Sequence, residues 1–462
     1  MTELPFHFRL HYNAHMTPPR VRILALVLTT CAAVLFVTGL LVPEAGRLTG
    51  GFSSYYTASR LISEGVDPAI FYDEPWFQEQ TLRFGFAGAT DIWHVNPPAT
   101  TLLFLPIAWL SPERADWVWT VANVVLLLAT LVVLRRLFED AGMILGWREP
   151  LTWLLAGVAF VYNPFWQNIV QGQLYGLLML GLALAWSSYV RGQEYRFGGL
   201  LGLMFVFKMS GGLLWLIPLL ERRWRSLASG GAVFLVVASV TSALWGHQAW
   251  REWLVRLPGL YDQPWSGVTA YQTTNSLIHH LTSFDARFSP EPVAQLPWLT
   301  MPLVYLVFGL AVGGAVVLGW FRVRRDLPDN HLRLLRIGML SALAVPLQPL
   351  GEEYHYPLLL PSVLLLLGIL AGAVPSIRPD PWAGMLGVFG VLLVTVPLPF
   401  KDEVFVGGWS ALLAYPKLYG ALLVVLAYGI LLSPIRERRA VPHAANAEYG
   451  NPGVDGAPWR PT

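Results

Sequence analysis

The chain has 462 residues, of which 55% are hydrophobic and 13% charged, with a net charge of +2 and a mean hydropathy of +0.50. Soluble domains carry about 25% charged residues, and the apolar residues here fall in long runs, which excludes a soluble enzyme, a disordered chain and a fibrous repeat. So small a net charge offers no broad basic surface to nucleic acid, and a single cysteine, Cys31, excludes an intramolecular disulfide and a cysteine-based metal site.

What remains is an all-α polytopic membrane protein, with 20 Trp, 17 Tyr and 23 Phe to line bilayer interfaces. Residues 1–21 read as a polar cytoplasmic segment. They contain Arg9 and three histidines, and the apolar run that follows is too long for a cleaved signal. Taking roughly 20 apolar residues per crossing, spans are expected at 22–42, 97–110, 116–135, 149–165, 168–190, 197–220, 227–245, 298–321, 334–350, 354–374, 382–398 and 413–433. That is about twelve within one domain, 22–433. The second is short and bounded by Pro97-Pro98 and Ser111-Pro112. Residues 434–462, rich in Pro, Ala and Gly, read as a disordered cytoplasmic tail.

Lysines and arginines in short loops orient such a chain. Arg222, Arg223 and Arg225, then Arg322, Arg324, Arg325 and Arg333, then Arg436, Arg438 and Arg439 place both termini inside. Arg135, Arg136 and Arg148 dissent, falling outside on this count. Both long hydrophilic loops, 43–96 and 246–297, then share the outer face of the plasma membrane. The first holds a helix over 52–64 with Phe52, Tyr55, Tyr56, Ser59 and Ile62 on one stripe, expected to lie in the membrane plane.

Lys208, mid-way along Phe197–Leu220, is the most informative single residue. A buried ammonium costs about 2.5–3.5 kcal/mol on insertion scales unless it meets a partner or a wet cavity. It is either a packing lysine paired with a carboxylate or carbonyls, or a cation for a phosphate-bearing ligand. Gln171 and Gln173, flanking Gly172, either bond across helices or line a cavity. His355, beside Glu352 and Glu353, is a polar cap, an anion donor or an acid–base group. The adjacent glutamates suggest a metal or proton site, but no second ligand has a recognisable spacing. The first-loop carboxylates include Asp67, Asp73 and Asp91, most of which must be plain solvated charges. No Walker loop, nucleophile elbow or zinc-helix motif is present.

Several segments together resemble glycosyltransferase family 87. They are Gly51-Phe52-Ser53-Ser54-Tyr55-Tyr56 with Glu64-Gly65-Val66-Asp67-Pro68, then Asn96-Pro97-Pro98, Gln171-Gly172-Gln173, Lys208, Asn275-Ser276-Leu277 and His355-Tyr356. They run in order from about residue 50 to 365. The resemblance implies a GT-C fold, a sugar donor on polyprenyl phosphate, a lipid or glycan acceptor, no cofactor and inversion at the anomeric centre. In that scheme Lys208 and His355 hold the donor phosphate, Tyr55, Tyr56, Gln171, Gln173 and Asn275 line the cavity, and a first-loop carboxylate is the base. The family's Asp before the Phe is Gly51 here. The base is therefore displaced to Asp67, Asp73 or Asp91, with Asp67 ranked first for its turn beside the surface helix, or the member is non-catalytic. The rival class is a transporter or lipid flippase built on Lys208 as a lone intramembrane charge.

Overall fold

The computed structural model describes residues 19–434 apart from 89–90, 262–266, 301, 322–325 and 378. The expected N-terminal segment up to residue 18, the tail after 434, and Arg322, Arg324, Arg325, Arg436, Arg438 and Arg439 lie outside the described residues. The described chain is helical, and its only β contacts are the isolated bridges Tyr271–Glu352 and Asp285–Ser289.

By length and composition, four described helices can cross a bilayer unaided: Pro19–Glu44, Pro112–Asp140, Trp224–Trp245 and Glu353–Leu370. A bent pair, Gly408–Ala414 with Pro416–Leu432, makes a fifth. Shorter apolar helices, among them Pro150–Val161, Tyr175–Val190 and Pro381–Thr395, accompany them. Their exposed faces carry large apolar residues, as at Val125, Leu235, Leu244 and Phe389, which suits contact with lipid tails. Twelve full-length spans are not found among the described residues, and two of the expected ones take another form.

Residues 97–110 are two short 3-10 turns, Pro98–Leu103 and Leu105–Ile107. Pro97, Pro98 and Pro106 within so short a stretch remove amide donors and bias their predecessors away from helix. The segment packs under the Gly50–Ser63 helix, where Ser59 Oγ donates to Thr101 O at 3.0 Å and Tyr56 Oη to Leu110 O at 2.7 Å.

The stretch 197–220 is a hairpin rather than one span. Glu194–Lys208 runs parallel to Trp224–Trp245, with Gly198 against the Ser226 carbonyl and Gly202 against that of Gly230. The chain must therefore return between them. It does so through left-handed Met209 (φ 49°) and Gly211 (φ 74°), a 3-10 turn Gly212–Trp215 and the short helix Leu216–Leu220. Glycine makes that reversal inexpensive. Lys208 is thus the last helical residue at the tip of a hairpin, not the middle of a span, and its charge complements the helix C-terminus.

These corrections resolve the dissenting arginines. With 97–110 not crossing, Pro112–Asp140 starts on the face of the large loops and ends on the opposite one. There Arg191 pairs with Asp140, Arg223 and Arg336 pair with Glu221 at 2.7 and 3.4 Å, and His331 Nε2 donates to Ala141 O at 2.6 Å. Arg135, Arg136 and Arg148 therefore sit at the same end as the other arginine-rich turns.

On the loop face, the Gly50–Ser63 helix is buried from Gly51 through Ser59 rather than lying alone on the membrane plane. Its small residues Ser53, Ser54, Thr57, Ala58 and Ser59 let neighbours close on every side. Thr49, at its start, donates through its amide and hydroxyl to Asp116 at 3.2 and 2.9 Å. The second loop is clasped to residues 346–352: Gln272 N donates to Gly351 O (2.8 Å), Thr274 N to Pro346 O (3.0 Å) and Asn275 Nδ2 to Pro349 O (2.9 Å). Lys208 is not the lone buried charge expected. Lys417, fully enclosed, pairs with Glu353 at 3.1 Å and donates to Val394 O at 2.9 Å.

Candidate active site

A cavity of about 730 Å³ opens between the Lys208 hairpin tip, the Asp91–Asn96 entry segment and the 346–355 stretch. Its lining mixes polar residues, Asp91, Asn96, Gln173, Lys208, Glu352 and His355, with apolar ones that include Phe205, Leu213, Leu257, Leu347 and Leu350.

Lys208 Nζ donates to Asn96 Oδ1 and, at 3.0 Å, to Tyr55 Oη, and it stands 5.3 Å from the Tyr55 ring centroid. Asn96 is fixed in turn by Nδ2 donating to Trp93 O at 3.1 Å. The Tyr55 ring is stacked on Phe104 at 4.6 Å. The ammonium has a third proton for a ligand oxygen, and a phosphate is a suitable acceptor.

Across the cavity, the Glu352 backbone N–H donates to His355 Nδ1 at 3.1 Å. A neutral ring so held carries its proton on Nε2 and is a hydrogen-bond donor there. Tyr175 and Tyr354 flank the imidazole at 4.3 and 4.6 Å between centroids. Glu352 accepts from Tyr354 Oη at 3.1 Å. Burial, reinforced by the Asp91 charge and relieved in part by Lys401, pushes its carboxyl up to about 7.

Asp91 accepts from Ile92 N at 2.8 Å on one oxygen and from Gln173 Nε2 at 3.1 Å on the other. Burial raises its pKa; the Ile92 N–H, the Lys208 charge and the Gln173 amide act against that. A half-buried carboxylate with lone pairs to spare and a raised pKa is suited to accept a hydroxyl proton.

The structure therefore brings Asp91, Gln173, Lys208 and His355 to one cavity, with Tyr55 directly behind. It does not bring the others. Asp67 and Asp73 are exposed helix N-caps, accepting from Ala69 N at 2.9 Å and Trp76 N at 3.3 Å. Asp67-Pro68 and Asp73-Glu74-Pro75 already spell that cap pattern in sequence. Tyr56 points to Leu110, Asn275 clasps Pro349, and Gln171 meets Gly51 through its backbone oxygen (2.8 Å). The sequence assigns no role to Asn96 or Tyr175, and it marks Glu352 only jointly with Glu353. Only the structure separates the members of that pair, Glu352 to the cavity and Glu353 to Lys417. Among the described residues no group of three or more His, Cys, Asp or Glu is placed to hold a metal ion.

The chain is 24% identical over 331 residues to an alpha-(1->3)-arabinofuranosyltransferase of Corynebacterium glutamicum, covering 70% of this chain and 68% of that one. It is 24% identical over 355 residues to a polyprenol-phosphate-mannose-dependent alpha-(1-2)-phosphatidylinositol mannoside mannosyltransferase of Mycobacterium tuberculosis, covering 73% and 76%. The solved structure of ArnT from Cupriavidus metallidurans in the apo state aligns at 13% identity over 89% of this chain and 76% of that one, with a TM-score of 0.34, too low to bear on the fold. Residues 93–346, which include Asn96, Gln173, Tyr175 and Lys208, match the family model of Glycosyltransferase family 87. With more than half of its length matched, this multi-pass membrane protein belongs to glycosyltransferase family 87.

Proposed function

We propose that the chain transfers a glycosyl residue from a polyprenyl-phosphate donor to an envelope lipid or glycan acceptor, with inversion, at the outer face of the plasma membrane. Residues 22–433 form its catalytic domain. The sugar is mannose or another hexose, or arabinofuranose, the mannosyl and arabinofuranosyl groups being those in the relatives' names. The observation that carries this reading is a single cavity lined by a carboxylate, Asp91, an ammonium, Lys208, and apolar side chains fit for a prenyl chain.

Lys208 and His355 bind the donor phosphate with charge-assisted and neutral N–H donors. Asp91 takes the acceptor hydroxyl proton as that oxygen bonds to the anomeric carbon. The carbon–oxygen bond to phosphate breaks, and its electron pair leaves with the polyprenyl phosphate. Gly51 does not argue against activity, because Asp91 lines the cavity and offers a carboxylate in place of the one that position 51 lacks.

Full-length protein in lipid nanodiscs, given radiolabelled polyprenyl-phosphate sugars and extracted envelope lipids, should yield an inverted glycolipid. Lys208→Ala should lower transfer by about 10–100-fold, the worth of a hydrogen bond to a charge, and Asp91→Asn by about 10²–10⁴. Unchanged turnover in Lys208→Ala, or a product that keeps the donor's anomeric configuration, would refute the reading.

A further inference from the structure

Gln173 is buried and stands between two groups that the transfer reaction uses. Its amide orientation follows from its neighbours. Tyr55 Oη already accepts from Lys208 Nζ (3.0 Å), so the hydroxyl proton goes to Gln173 Oε1, at 2.6 Å. That leaves Nε2 to donate to Asp91 Oδ2, at 3.1 Å. Every donor in the row faces the same way: Lys208 to Tyr55, Tyr55 to Gln173, Gln173 to Asp91. Hydrogen bonds aligned head to tail polarise one another, and the row ends on the oxygen that is to accept a proton.

The amide reaches this place only because residue 51 has no side chain. A Cβ on Gly51 would lie 2.2 Å from Gln173 Nε2 and 2.7 Å from its Cδ. The flat amide is seated on the bare Cα, and the Gly51 N–H holds the adjoining turn by donating to Gln171 O at 2.8 Å.

We propose that Gln173 is the positioning residue of this site: seated on Gly51, its amide orients the Asp91 carboxylate at the cavity wall and couples it through Tyr55 to Lys208. The idea rests on Asp91 as the base, and it adds how a glycine at 51 and a glutamine at 173 together serve that base. Gln173 itself touches no reacting atom. Its effect is to hold the ionised form of Asp91 in one orientation, against burial and against the nearby carboxylates of Glu74 and Glu352. The other titratable groups facing Asp91 are Lys208, Tyr55, Tyr175, Tyr271 and Tyr354.

The test is an infrared titration of the Asp91 carboxyl in full-length protein in nanodiscs, its band assigned by loss in Asp91→Asn. It is run beside the pH profile of kcat/KM with a radiolabelled polyprenyl-phosphate mannose donor. Gln173→Leu removes the donor to Asp91, so Asp91 should titrate about one unit higher, the scale of one hydrogen bond to a charge. The acid limb of kcat/KM should move up with it. Tyr55→Phe keeps Gln173 but breaks the row one link back, and should move both readouts the same way by less. It also stands in should Gln173→Leu fail to fold. An Asp91 titration unmoved in the folded variants overturns the positioning role, whatever the activity. A titration that moves in a protein without transferase activity upholds the positioning and sinks the function proposed above.

Discussion

Replacing Gly51 by alanine adds one carbon, and the structure says what that carbon meets. Gln173 Nε2 lies 2.2 Å away and the Gln171 backbone oxygen 2.4 Å away, both far inside van der Waals contact. Helix propensity favours alanine over glycine by about 0.5–1 kcal/mol, whereas overpacking a filled site costs about 1–3 kcal/mol. The second obstructing atom belongs to the backbone and cannot rotate aside, so the upper part of that range applies and the net loss is about 2 kcal/mol. Gly51→Asp meets the same two atoms and also brings a carboxylate toward Asp91, so it should be the less stable of the two. Thermal unfolding of the purified variants in one detergent measures both. Transfer activity should fall in both, since the Gln173 amide is pushed off its seat. An Asp at 51 that left the melting temperature unchanged and raised transfer would show that the glycine is a lost base rather than a packing requirement, and the reasoning would fail.

Asp67→Ala and Asp73→Ala should each cost about 0.5–2 kcal/mol of stability as lost helix caps while leaving transfer intact; a large loss of turnover in either, in folded protein, would move the base away from Asp91. Glu352 has a folded pKa of about 7 against an unfolded 4.5, so its contribution favours the fold below about pH 4.5 and is lost as pH rises through 7. Glu352→Gln should therefore melt higher than the parent at pH 8, the advantage shrinking toward pH 4.5; a variant melting lower at pH 8 would contradict this. With Cys31 replaced by serine, an impermeant thiol reagent applied to whole cells should label a cysteine at Ala286 in the second loop and not one at Gln193. The reverse pattern would invert the proposed orientation.

The hairpin at Lys208 also bears on the rival class. A lone charge at mid-span invites a transport reading, but Lys208 is at a hairpin tip among first-loop residues, bonded to Tyr55 and Asn96. A second buried lysine, Lys417, is neutralised by Glu353 within the helical body. One cation faces a cavity and the other is consumed in packing, a distinction that hydropathy cannot make because both are single charges beside apolar runs.

Composition and run length alone were enough to settle the membrane class and helical content, because the absence of water around a spanning segment is a constraint on every residue in it. The candidate cation and histidine were legible for the same reason: a charge in an apolar run has to be explained. The ranking of Asp67 first and the span at 97–110 were wrong against local signals the sequence carries, an aspartate just before a proline-bearing helix start being a cap pattern and three prolines within 97–110 opposing a helix. What the sequence could not supply was the company that Asp91 keeps. Gln173 is 82 residues from Asp91 and 118 from Tyr55, and Lys208 is 153 from Tyr55. No periodicity or propensity spans such distances, because these contacts are set by how helices pack rather than by what any segment prefers. The burial of the Gly50–Ser63 helix, the parallel run of Glu194–Lys208 beside Trp224–Trp245, and the seating of an amide on a bare Cα were decided only by that packing, and with them the place of the one first-loop carboxylate that reaches the cavity.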